Sequence, residues 1–344
     1  MVINNTSKTN SGLSSLDFLL AKGINIVKIF APEHGFKVNN DAGEELGDDI
    51  DAATKLSIIS LYGKKNKPTK EDLANVDIVV FDIQDVGVRF YTYLSTLHYV
   101  LEACGENNIP LLVMDRPNPH ANYIDGPIMQ KKCRSFVGLD PVPIIYGMTI
   151  GEYAKLLVGE KYLLNGVQPH LKVIPISNWD RSMRYAIVSK PSPNLPDSVS
   201  VMLYPSLCLF EGTVVSAGRG TNIPFQCYGH PDLVNMPYSF IPISMPGSSK
   251  YPKNEGLLCH GENLTNQYNF VKNSSSLNLK WLIKAFNNYK GEKPFFNSYF
   301  KKLAGNNNLE ESIKAGKSEE EIKKEWQAEL KKFQTIRQKY LIYR

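Results

Sequence analysis

The 344-residue chain has no apolar run near the ~20 residues that a membrane-crossing helix needs, so stable membrane insertion is not expected. Cysteine is scarce: Cys104, Cys133, Cys208, Cys227 and Cys259 are widely spaced and form no CxxC pair. An odd count at such spacing gives neither a disulfide framework nor a zinc site, and buried free thiols are the expectation. No GxGxxG follows the first strand and no GxxxxGK[ST] occurs anywhere. Both common phosphate cradles are therefore missing, and no nucleotide cofactor is expected. Charge of one sign is also thin. The 39 Lys and Arg against 34 Asp and Glu leave +5, much of it on Lys-rich helix surface near the C-terminus. Basic clusters interleaved with aromatics are missing, so nucleic acid is not an expected partner. There is no internal repeat and no low-complexity run.

What is present is an ordinary globular composition, 42% apolar and 21% charged. The length exceeds that of most single cores and predicts two domains, placed at 1–225 and 226–344. The first part alternates strand and helix. Residues 2–5 read as the end of a first strand, and the expectation is that a signal peptide and the beginning of that strand precede MVINNTS, in an exported, periplasmic or extracellular protein. Helical spacing at 15–23 ends on Gly23. β-Branched runs at 24–30, 56–62, 76–83, 109–118 and 170–176 predict buried strands. Helices are predicted at 67–76, 92–108 and 149–160, the first with Thr69 as N-cap. This rhythm predicts an α/β fold: a Rossmann-like, mostly parallel sheet with helices on both faces, plus a smaller α+β C-terminal domain. Beyond Trp179 the pattern changes. Residues 206–213 and 239–244 read as short strands, 215–225 as a Gly-rich loop and 245–262 as irregular, while 279–289, 308–316 and 318–341 read as helices, the last with a Ser318/Glu321 capping box.

The chemistry-bearing residues gather where these strands end. The run to Phe30 stops at Ala31-Pro32, and Glu33, His34 and Gly35 follow, with Glu44 and Glu45 closing the loop. The run to Ile83 carries Asp82, and then Gln84, Asp85, Arg89 and Tyr91. The next strand ends in Asp115, Arg116 and Asn118. Open α/β sheets place their ligands at such carboxyl ends. Two carboxyl groups in one loop suit acid/base work on a polar substrate. Glu33 is the stronger general-acid candidate, because a strand end beside an aromatic and a proline is a partly buried place, where a carboxyl keeps its proton more readily. Glu44 follows Gly43, which lets the backbone approach a ligand closely, while Glu45 reads as a solvated neighbour. His34 is either a partner of Glu33 or the sugar, or a histidine satisfied by backbone, and no ligand spacing supports a metal. Asp82 either holds its loop or touches substrate. Arg89 and Arg116 either pair with Asp85 and Asp115 or grip an anion. Phe90, Tyr91 and Tyr93 are either core or a stacking platform. Glu211 is a reserve acid. Asn118 and Asn194 sit between prolines and serve either a turn or an amide-bearing ligand.

The ordered motifs APEHG (31–35), AGE (42–44), LYGK (61–64), FDIQDVGVRFYTY (81–93), MDRPNP (114–119), GPI (126–128), RSFVGL (134–139), GMTIGE (147–152), PSPNLP (191–196), LYPSLCLFEGT (203–213) and GRGT (218–221) resemble the NamZ-type exo-β-N-acetylmuramidases over nearly the whole chain. LCHGENL (258–264) departs from the pattern of that family. The resemblance implies a peptidoglycan glycosidase that releases N-acetylmuramic acid from non-reducing glycan ends, with its cleft between a Rossmann-like domain and an auxiliary domain. It implies peptidoglycan fragments as partners, and the residue spacing gives no metal site. Glu33, Glu44 and His34 become the catalytic set. Asp82, Gln84, Asp85, Arg89, Tyr91, Asp115, Arg116, Asn118, Glu211, Arg219 and Thr221 become the substrate-binding set, with Arg89, Arg116 or Arg219 as candidate grips for the lactyl carboxylate.

Overall fold

The computed structural model describes residues 1–38, 43, 44, 47–183 and 185–343. Glu45 therefore lies outside the described residues. The larger sheet comprises β1 (Val2–Ile3), β2 (Lys28–Ala31), β3 (Asp49–Ile50), β4 (Ser57–Ser60), β5 (Val79–Asp82), β6 (Leu111–Met114) and β7 (Leu171–Ile174). Its order is β3-β4-β2-β1-β5-β6-β7, with β3 antiparallel at one edge and the other pairs parallel. Without β3, the parallel strands in chain order run 3-2-1-4-5-6, the doubly wound order. The direction of winding reverses beside β1, where Val2 registers with Phe30 on one side and Phe81 on the other.

Alternation along each strand sends side chains to opposite faces. Ile3, Ile29, Ile58 and Val80 pack with Leu16 of α1 (Ser15–Ala21). Val2, Phe30, Ile59 and Phe81 join the larger core, with residues of α2 (Tyr93–Glu106) and α3 (Ile150–Gly159). Helices thus cover both faces. The same core runs on through α4 (Ser198–Leu207) to Phe333 near the C-terminus, so the two halves share one apolar interior. The C-terminal part adds α5 (Tyr268–Asn273), α6 (Lys280–Asn288), α7 (Phe300–Ala304), α8 (Asn308–Lys314), α9 (Glu319–Lys324) and α10 (Gln327–Gln338). It also holds a small antiparallel sheet of β8 (Cys227–His230), β9 (Tyr238–Phe240) and β10 (Cys259–Asn263), in the order β8-β10-β9. All five cysteines are free and buried.

Three expectations are corrected. Residues 67–76 form turns: Lys28 Nζ donates to the carbonyls of Glu71, Asp72 and Ala74, which draws them out of a helical ladder. Residues 206–213 are the end of α4 and a 3-10 helix, Cys208–Gly212. A reciprocal Asp197/Ser200 capping box starts that helix, and its apolar run continues round all sides. The last helix is two. The chain breaks between α9 and α10, where Trp326 turns its Nε1 to buried Asp125 at 2.9 Å.

Candidate active site

Pro32 ends β2, and His34 (φ 70°) and Gly35 (φ 74°) turn the chain back with two successive left-handed residues. A histidine there is strained relative to glycine. The turn leaves the half-buried Glu33 side chain across the reversal point from the start of α2. Glu33 Oε2 accepts from Thr92 Oγ1 at 2.6 Å, and Oε1 accepts from the Gly43 amide at 3.0 Å. Thr92 stands at the N-cap of α2, yet its hydroxyl makes no capping bond and is given to Glu33 instead. The carboxyl is held through both oxygens, beside a helix end that favours negative charge.

Two joined cavities open here. One, of about 390 Å³, is lined by Glu33, buried His34 and the rings of Tyr62, Phe90, Tyr91, Phe136, Tyr204, Phe225 and Tyr299. The other, of about 510 Å³, is lined by Glu44, Ser216, Ala217 and residues 248–253. Gly43, Glu211 and Arg219 border both. The rings are fixed edge to face, Tyr91 against Tyr204 and Tyr204 against Phe225. Such a half-polar, half-aromatic hollow suits a carbohydrate ring, with flat faces for its C–H surface and polar groups for its hydroxyls.

Glu211 faces Arg219 Nε at 3.3 Å. Burial alone would raise the Glu211 carboxyl, but Arg219 and Lys253 outweigh it and hold it below the usual carboxylate range. Lys253 Nζ donates to the carbonyls of Phe210, Glu211 and Thr213 at 2.8–3.0 Å. Asn194 Nδ2 donates to Ser248 O, Asn254 Nδ2 to Val214 O and the Ile243 amide to Gly220 O. The irregular 245–256 segment is thereby a fastened wall. Arg219 sits between Gly218 (φ 78°) and Gly220 (φ 79°), where a Cβ would meet Cys227 Sγ at 2.7 Å or Ile243 O at 2.6 Å. Its guanidinium carbon lies 5.0 Å from the centre of the Phe225 ring, a cation–π contact.

The structure thus gathers Glu33, His34, Glu44, Tyr91, Glu211 and Arg219 at the cavities. The remaining expected contacts have other partners and line neither cavity. Asp82 pairs with Arg116 Nε at 2.6 Å and accepts from Ser15. Arg116 also donates to Lys8 O, so its partner is Asp82 and not Asp115. Gln84 donates to the carbonyls of Asp85 and Pro117. Asp85 accepts from the Gly87 amide and the Tyr146 hydroxyl, and burial pushes its carboxyl up to about 6. Asp115 accepts from Thr149, Tyr343 and the Gly151 amide, and burial raises it likewise to about 6. Among the described residues Arg89 pairs with no carboxylate: its Nη atoms donate to the carbonyls of Pro127, Val142, Leu303 and Ala304. Asn118 donates to Met148 O and accepts from the His120 amide. Thr221 donates to Gly218 O, shaping the loop that carries Arg219. Asn194 serves the wall. Sequence reading missed Thr92 and Lys253. Thr92 left a signal, a hydroxyl just before a helix, whereas nothing local marks Lys253. No cluster of His, Cys, Asp and Glu suited to a metal ion occurs among the described residues.

A doubly wound sheet whose reversal point holds a carboxylate beside aromatic walls and an arginine defines an α/β protein with a cleft for a polar ligand. The N-terminal model of the exo-β-N-acetylmuramidase NamZ family matches residues 1–199 and the C-terminal model matches residues 202–343. The chain belongs to this family, which is one of glycoside hydrolases. It is 40% identical over 363 aligned positions to the peptidoglycan β-N-acetylmuramidase NamZ of Bacillus subtilis (strain 168), covering 99% of this chain and 86% of that protein. A crystal structure of a DUF1343 family protein from Bacteroides fragilis NCTC 9343 superposes with a TM-score of 0.92 at 41% identity, over 100% of this chain and 93% of that one. A second protein of that family and strain gives 0.78 at 27%, with the same coverage.

Proposed function

We propose that this chain is an exo-acting muramidase that removes N-acetylmuramic acid from the non-reducing ends of peptidoglycan fragments by carboxylate chemistry. The observation that carries this reading is Glu33, oriented through both oxygens at the mouth of an aromatic cavity, in a chain of this family. Glycoside hydrolysis needs two carboxyl groups about the scissile bond, one donating a proton to the leaving oxygen and one attacking or activating water. Glu33 is one of the pair. Glu44 is the other, on the loop whose Gly43 amide already binds Glu33. His34 lines the cavity beside them as a polar neighbour of the sugar. The 390 Å³ cavity receives the terminal sugar and the 510 Å³ cavity the leaving portion. Residues 1–225 supply the carboxyl pair, and the part from 226 onward supplies the wall at 248–253 and the Tyr299 side of the cleft. A substrate in the cell wall calls for an exported enzyme, and among the described residues no helix is long and apolar enough to cross a membrane.

The test is turnover of a chromogenic β-N-acetylmuramide by the purified chain, beside the matching β-N-acetylglucosaminide and an intact glycan. Release of free N-acetylmuramic acid from chain ends is expected, with no internal cleavage. Binding of the sugar without turnover would assign the chain to non-catalytic recognition instead.

A further inference from the structure

Most arginines near the centre of this molecule are occupied. Arg89 is consumed by four carbonyls, and Arg116 by Asp82 and Lys8 O. Arg181 and Arg337 both donate to the carbonyls of Ala121 and Gly147. Arg219 differs. Its Nε lies 3.3 Å from Glu211 Oε1 in an ion pair without hydrogen-bond geometry, its face lies on Phe225, and among the described residues its guanidinium makes no hydrogen bond. It borders both cavities, at their junction with Gly43 and Glu211.

A guanidinium has two usable edges. Here one faces the Glu211 carboxylate as an ion pair, the ring fixes the plane, and the outer Nη1–Nη2 fork remains for a planar anion. The backbone is built around this placement. Two positive-φ glycines flank the arginine, and Phe225 itself takes a left-handed conformation (φ 53°) that a bulky residue rarely adopts. Other cations at the cleft are worse suited. Lys253 Nζ already serves three carbonyls, and Lys250 lies over the Tyr251 ring at 5.5 Å. Lys302 lines the aromatic cavity, but it is exposed and offers a point charge, not a fork.

We propose that Arg219 is the specificity residue of the cleft, reading the carboxylate of the substrate's lactyl ether by a two-point contact from Nη1 and Nη2. This rests on the muramidase reading above. N-Acetylglucosamine lacks that group, so its binding leaves the fork desolvated and unpaired. A site built to pair a polar group rejects the analogue lacking it strongly. Glu211 acts on substrate through Arg219, as a positioning residue.

The experiment compares three aryl glycosides: the β-N-acetylmuramide, its lactyl methyl ester and the β-N-acetylglucosaminide. The wild-type chain should favour the free acid over the ester by ~10²-fold or more in kcat/KM. Arg219→Lys keeps a charge beside Glu211 and removes the fork, while Arg219→Gln removes the charge. In both, the loss should fall on the acid, bringing the acid-to-ester ratio to within ~10-fold of unity. Parallel loss on acid and ester, or a preference that survives both substitutions, overturns the proposal. If Arg219→Gln fails to fold, Arg219→Lys carries the comparison alone. If the wild-type chain turns over none of the three, the reading of activity fails, and calorimetry with N-acetylmuramic acid and its methyl ester decides the matter separately. Tighter binding of the acid by wild type but not by Arg219→Lys supports the assignment, and equal binding of both by wild type refutes it.

Discussion

Replacing Arg89 by methionine tests whether an arginine in the longest motif of this chain serves the substrate or the fold. Its side chain is 1% exposed, and it donates 2.7–2.9 Å bonds to four carbonyls, two from residues 127 and 142 and two from residues 303 and 304. Val142 O keeps a second donor, the Met129 amide at 3.1 Å. The carbonyls of Pro127, Leu303 and Ala304 would be left without one. Hydrogen bonds to a charged donor contribute about 1.5–3 kcal/mol each, so the three stripped acceptors alone come to roughly 5–9 kcal/mol. Removing the buried charge returns several kcal/mol of desolvation, and methionine keeps most of the apolar contact. A net loss of about 4 kcal/mol remains. For a chain of this length that corresponds to a fall in melting temperature on the order of 5–6 °C. The assay is thermal and urea unfolding followed by near-UV circular dichroism, with turnover measured at 20 °C below each variant's own midpoint. Arg89→Lys, whose ammonium has three donors, should recover part of the loss. Melting within about 2 °C of wild type together with lost turnover would refute the reasoning and return Arg89 to the substrate.

Glu33→Gln should lower turnover by ~10²–10⁴-fold with little change in melting, and a loss below tenfold would remove Glu33 from the catalytic pair. Gly218→Ala places a Cβ 2.7 Å from Cys227 Sγ at φ 78°. It should cost about 1–3 kcal/mol of stability and shift Arg219 enough to lower muramide turnover, and unchanged kinetics would show that the loop does not hold the arginine in place. His98 lies between Asp140 Oδ1 and Glu102 Oε1 at 3.0 and 3.1 Å. Burial alone would lower its ring, but the two carboxylates outweigh it and raise it to about 9. A raised folded value means stabilisation present in full below the ordinary value near 6.5 and lost as pH climbs through about 9. Wild type should therefore lose up to about 3 kcal/mol more than His98→Gln between those limits, as read from urea midpoints, and parallel pH profiles would rule out a charged His98.

Much of the first half was legible because its information is local. Five β-branched runs bounded by Gly, Pro and Asn gave five of the strands, and the acids at their ends marked the side of the sheet where the cleft opens. The failures have a common cause. The 67–76 segment has every local mark of a helix, yet Lys28, from a strand, takes its carbonyls. The 206–213 run is apolar without a readable period, and only the Asp197/Ser200 box ahead of it settles the matter. At the site, Glu33 was legible from a strand that stops at proline. Asp82, Asp115, Asn118 and Arg89 stand at similar stations but are taken up elsewhere, Asp82 by Arg116, Asp115 by two hydroxyls and an amide, and Asn118 and Arg89 by backbone, and side-chain type cannot tell those cases apart. Arg219 entered only with the GRGT motif of the family resemblance, whereas Lys253 acts from a segment with no pattern at all.

The wall that Lys253 fastens has a consequence for when order is acquired. Residues 245–256 carry no strand or helix, and a segment of that kind commonly acts as a door that closes on arrival of a ligand. Here an ammonium group binds three carbonyls of the neighbouring helix end, and Ser248 and Asn254 are tied on either side. The conformational entropy of the segment is therefore lost once, during folding, and not again at each encounter with a sugar. Capture then amounts to displacement of water from a finished surface. Its rate should follow diffusion and orientation, with no slow closing step to separate first contact from chemistry.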